Sequence, residues 1–105
     1  MLKQLTDESF QEEVREAENP VIVMFTGPNC HACNNMKPVV EELSNQMTGD
    51  ITFLVADVQE ASMAAADLSI RSLPSMALFV DGMVRDITSG SYTKNNFRLW
   101  IQDNI

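Results

Sequence analysis

Apolar and polar positions alternate in two different ways along the chain. Val21, Ile22, Val23, Met24 and Phe25 form an unbroken, largely β-branched apolar run, the pattern of a strand covered on both faces, and Thr26-Gly27-Pro28-Asn29 ends it in turn formers. The period then changes. Cys33, Met36, Val40, Leu43 and Met47 recur at helical spacing, with Asn34, Asn35, Lys37, Glu41, Glu42 and Gln46 on the other face, which predicts a long helix beginning at or near Cys30. Pro38 removes one of its hydrogen bonds and predicts a kink, and Gly49-Asp50 predicts its end.

The flanking segments follow the same logic. Residues 2–5 read as a brief edge strand, after which Thr6 or Asp7 can cap a helix with a narrow stripe of Phe10, Val14 and Ala17 and with Glu8, Glu12, Glu13 and Glu16 exposed. Asn19-Pro20 stops it. Residues 51–58 are apolar and strand-forming, and residues 60–68 are rich in alanine and read as a short helix. Residues 75–80 and 83–89 read as a hairpin turned by Asp81-Gly82, and Thr93 caps a last helix with Phe97, Trp100, Ile101 and Ile105 inward. An early β-α-β crossover implies parallel strands and the late hairpin an antiparallel pair. The expected class is therefore α/β, a central mixed sheet of four or five strands flanked by about four helices.

Composition narrows the chemistry. A chain of 105 residues fits one domain, residues 1–105, with a core large enough to fold without staples, so two cysteines are free for other work. A net charge of −8 and a sequence pI of about 4.3 repel phosphate backbones and anionic lipid, which argues against nucleic acid or membrane partners. The first residues hold no apolar signal segment and no run approaches a membrane-spanning length. The expectation is a soluble, cytoplasmic monomer.

Cys30 and Cys33 then stand out. A strand delivers them to a helix N-terminus, whose unpaired N–H groups favour an anion such as a thiolate at Cys30. Residues three apart on a helix have Cβ atoms about 5–6 Å apart, so the two can close a disulfide with little backbone movement. With no compartment signal for structural disulfides, such a pair is redox-active or metal-binding rather than structural. A complete mononuclear zinc site lacks ligands, because His31 is the only histidine and lies between the cysteines. No metal and no cofactor are expected, although a metal or iron–sulfur cluster bridged between two chains stays open. The other alternative is two inert buried thiols.

The order of elements, Cys30 and Cys33 after the first buried strand, Pro38 in the helix, Ile70-Arg71-Ser72-Leu73-Pro74 before a strand, Gly82 in the hairpin and Gly90 after it together resemble a thioredoxin over essentially the whole chain. The resemblance implies the thioredoxin fold. It also implies that Pro74 is a cis-proline lying against the dithiol, that the Leu73 backbone receives an extended substrate segment, and that Asn29 and Gly90 border it. Disulfide-containing proteins would be the substrates, and thioredoxin reductase or a glutathione-based donor would supply electrons. Five positions depart from the family: Asn29, His31 and Ala32, since Asn29-Cys30-His31-Ala32-Cys33 replaces the usual Trp-Cys-Gly-Pro-Cys, Met24, which replaces a buried aspartate, and Val55, which replaces the lysine that partners it. The usual route for taking a proton from the second thiol is absent.

The function expected is thiol–disulfide exchange, with Cys30 attacking and Cys33, one turn deeper on the apolar face, resolving. His31 and Ala32 would tune the pair; the alternative for His31 is a merely solvated residue. The alternative is a binding or adaptor module with a redox-sensing or little-used dithiol. Met36 and Met76 are either core or a soft substrate surface. Asp57 reads as a solvated strand end and Trp100 as packing of the last helix.

Overall fold

A computed structural model describes residues 2–47 and 49–105. Its sheet contains β1 (Lys3–Gln4), β2 (Val21–Thr26), β3 (Thr52–Asp57), β4 (Ser75–Val80) and β5 (Met83–Ser89) in the order β1-β3-β2-β4-β5. β2 runs parallel to β3, as the early β-α-β crossover implies, β4 and β5 form the expected antiparallel hairpin, β2 pairs antiparallel with β4, and β1 adds a short parallel edge. Because β2 is central, Val21 to Phe25 are buried on both faces, which explains a strand with no polar alternation.

One face is covered by α1 (His31–Gln46) and α3 (Lys94–Asn104). Cys33, Met36, Val40 and Leu43 of α1, with Phe97 and Ile101 of α3, pack on Ile22, Met24, Met76 and Leu78. Helical spacing thus placed the inner face of α1 correctly. The helix continues through Pro38 and stops at Gln46, three residues before Gly49. In α3, Thr93 accepts the Asn96 N–H at 3.1 Å, the expected cap. Trp100 stacks on Phe97 and donates to Asp86 at 2.8 Å, whereas Ile105 is 51% exposed because α3 ends at Asn104, before its stripe would come round again.

The opposite face carries α2 (Ser62–Asp67) and a short helical segment, Gln11–Arg15. This segment departs from the expectation of an ordinary α-helix. It is wound wide, with the Glu16 N–H donating to the Gln11 carbonyl five residues back, and only Val14 of the predicted stripe is fully buried. Thr6 and Ser9 satisfy each other's backbone N–H groups through their hydroxyls, while Asp7 is drawn elsewhere. Its two carboxylate oxygens accept the Met63 and Ala64 N–H groups, each at 3.0 Å, so Asp7 caps α2 across the sequence.

Asp81 and Gly82 both have positive φ, 53° and 79°, the hairpin geometry that matches sheet twist. Gly82 is also wedged against the Gln11–Arg15 segment. A Cβ there would lie 2.3 Å from the Arg15 carbonyl oxygen, and the Arg15 guanidinium donates to the Gly82 carbonyl at 2.8 Å while lying over the rings of Phe10 and Phe79. Gly82→Ala is therefore expected to lower unfolding stability by more than about 1 kcal/mol in urea titration. Gly49→Ala, at φ 89° with open space around it, is expected to cost less. Equal costs would mean that the contact with Arg15 contributes nothing.

Candidate active site

The site forms where β2 runs out. Gly27, Pro28 and Asn29 turn the chain, with Asn29 at φ 58°, a left-handed conformation that asparagine tolerates better than most residues. Cys30 follows in an extended conformation, φ −101° and ψ 98°, and is the N-cap of α1. Its Sγ accepts the Cys33 backbone N–H at 3.1 Å, a role usually filled by a side-chain oxygen. The same N–H would hold a Cys30 thiolate after reduction.

Cys30 and Cys33 are joined by a disulfide with Cα atoms 5.3 Å apart, well inside the range such bonds accept. Their exposures differ. Cys30 is partly exposed, whereas Cys33 is 2% exposed, one turn down the apolar face of α1. Gly27, Pro28, Asn29, Cys30, His31 and Asn34 line an open depression in front of the pair. His31 is exposed, and its side chain makes no hydrogen bond among the described residues. Ala32 is half-buried in the first turn.

Two further segments reach the same end of the sheet. The Leu73-Pro74 peptide bond is cis, and the register Phe25↔Ser75 sets it beside the turn that carries Cys30. Leu73 lies so close that a Cβ on Gly27 would be 2.9 Å from its Cδ1. The Gly90 N–H donates to the Pro74 carbonyl at 2.9 Å, which ties the end of β5 to the proline. Two residues on, the Tyr92 N–H donates to the Met36 Sδ at 3.4 Å and the Tyr92 hydroxyl bonds that of Thr88. Asn29, Cys30, His31, Cys33, Leu73, Pro74 and Gly90 are thus gathered at one end of the sheet. Tyr92 joins them, and its bond to Met36, made across 56 residues, leaves no local signature in the sequence.

Other candidates do not line the depression in front of the dithiol. Met36 and Met76 are 0% exposed, so they are core and not a substrate surface. Met24 is equally buried, sits in register with Met76 and belongs to the same apolar cluster as Cys33. Asp57 closes its own turn, accepting the Gln59 N–H at 2.8 Å. No group of three potential metal ligands occurs among the described residues.

A mixed α/β sheet that presents a cysteine pair at a helix N-terminus, one sulfur accessible and one buried, defines a thiol–disulfide oxidoreductase of the thioredoxin fold. The sequence model of the thioredoxin family matches residues 1–103. The thioredoxin of Rickettsia bellii is 33% identical over 105 residues, covering all of both chains. Thioredoxin C-2 of Corynebacterium nephridii is 36% identical over 100 residues, 95% of this chain and 93% of that protein. Thioredoxin 1 of Nostoc sp. is 30% identical over 102 residues, 97% of this chain and 95% of that protein. The chain belongs to the thioredoxin family. Membership implies disulfide-containing protein substrates and a reductase partner.

Proposed function

We propose that Cys30 is the attacking thiolate and Cys33 the resolving thiol in the reduction of protein disulfides. The observation that carries this assignment is the difference in exposure: Cys30 can meet an incoming disulfide, whereas Cys33 at 2% exposure can reach only Cys30. Leu73, Pro74, Asn29 and Gly90 border the substrate. An extended segment lies along Leu73, whose backbone groups make no hydrogen bond among the described residues and are available for strand-like pairing. Such pairing binds main chain and leaves substrate sequence open.

His31 stands beside Cys30 at the first helical position and is exposed. In its protonated form it adds positive charge to that of the helix N-terminus, which stabilises the thiolate and with it the reduced protein. The couple is therefore more oxidising than that of ordinary thioredoxins. Ala32 affects the pair only by packing. Electrons come from a thioredoxin reductase or from a glutathione-based donor. The protein acts as a cytoplasmic monomer of one domain, with no nucleic acid or membrane partner; no helix among the described residues is long and apolar enough to cross a membrane.

The assignment is checked by insulin reduction with dithiothreitol, which the wild type is expected to accelerate and Cys30→Ser is not. No acceleration by the wild type would favour a binding or adaptor module. His31→Gly is expected to lower the reduction potential and to raise the pH at which Cys30 becomes open to alkylation. If neither moves, His31 takes no part in tuning the pair.

A further inference from the structure

Resolution requires Cys33 to lose a proton, and among the described residues no side chain packed around it is a free base that could take it. Cys33 shares a buried cluster with Met24, Met36, Val40, Met76 and Phe97. The buried side chains around it are apolar. β2 contributes no titratable residue, and the only polar side chain of β4, Ser75, donates to the Ser72 carbonyl at 2.6 Å. β3 contributes Phe53 and Val55, while Asp57 at its end is held by the Gln59 N–H. On α3, Lys94 pairs with Glu42 at 2.7 Å and Arg98 donates to Gln46 at 3.0 Å, both at the surface. On α1, His31 and Lys37 are exposed, and Glu41, half-buried two turns further along, is outside the cluster. The remaining titratable neighbours are Cys30 and Tyr92, and the Tyr92 hydroxyl is bonded to Thr88.

The helix favours the two sulfurs unequally. The Cys33 N–H is given to Cys30 Sγ, so the N-terminal field stabilises a thiolate on Cys30, the sulfur that attacks. Apolar burial disfavours one on Cys33. Attack is therefore fast and release slow. We infer that this chain holds its partner in a long-lived mixed disulfide through Cys30, released by Cys33 at a rate that pH controls and that Met24 keeps low. The inference rests on the roles proposed above for the two cysteines.

The chemistry balances. Cys30 thiolate attacks one sulfur of a substrate disulfide, a mixed disulfide forms, and the other substrate sulfur leaves as a thiolate that takes a proton from water. Cys33 then gives up its proton to solvent, as hydroxide or water reaches it, and the thiolate attacks Cys30 Sγ. The Cys30–Cys33 bond forms, the second substrate sulfur leaves and is protonated, and two electrons have passed from the dithiol to the substrate. Until that second step the protein is a covalent capture device as well as a reductase.

Methyl methanethiosulfonate separates the steps. One equivalent added to the reduced protein places a methylthio group on Cys30 with loss of methanesulfinate, and attack by Cys33 then expels methanethiol. Acid-quenched intact mass follows the adduct. It is expected to outlive labelling at pH 6.5 and to decay about tenfold faster for each pH unit from 6 to 8, as the thiolate fraction of Cys33 rises. Cys33→Ser is expected to keep the adduct throughout. Met24→Asp, which puts a carboxylate in the Cys33 cluster, is expected to speed decay at pH 6.5 at least tenfold and to flatten the profile. If that variant does not fold, the wild-type profile decides alone. An adduct that disappears during labelling at pH 6.5, or decays at a rate independent of pH, overturns the inference. Failure of Cys30 to label at all removes the role proposed for Cys30, and the inference with it.

Discussion

The packing of α1 against the sheet is the constraint on which the rest depends. Cys33, Met36, Val40 and Leu43 must be buried together for the helix to hold, and their burial fixes the rotation of its first turn. That rotation leaves Cys30 outside as the N-cap, three residues from a sulfur it can bond. Two chemically identical side chains thereby acquire different environments. One faces water and the N-terminal end of a helix, and the other faces methionine and phenylalanine.

Charge supports the same division. The protein carries a net charge of −8, yet the depression in front of the dithiol is lined by glycine, proline, asparagine, cysteine and histidine, with no carboxylate. A carboxylate in that lining would oppose a thiolate at Cys30, and none of the lining residues carries one. The acidic surface and the site are separate features.

Legibility in the sequence followed how local each determinant was. The β4–β5 hairpin was readable because Asp81-Gly82 specifies its own turn, and α1 because its burial repeats with the helical period. The segment Gln11–Arg15 was not. Phe10, Val14 and Ala17 suggested a plain α-helix, but Asp7 is committed to capping α2, a contact spanning 57 residues to Ala64. Ile105 was misplaced by extending a stripe past the end of its helix, and Met36 and Met76 could not be assigned to core until two elements met. The cysteine pair was evident from spacing and position alone. The cis bond before Pro74 was expected only through resemblance to a family, since nothing in the residues around it requires one, and the part played by Tyr92 depends on contacts that no local pattern announces.

The reduction potential of the Cys30–Cys33 couple tests the account most directly. Equilibration in glutathione buffers, with free thiols counted by alkylation and mass, is expected to give one reversible two-electron transition between about −270 and −180 mV, the interval from thioredoxin to disulfide isomerase. If no intramolecular disulfide forms anywhere across the accessible range, the two sulfurs are not a working couple and the account fails.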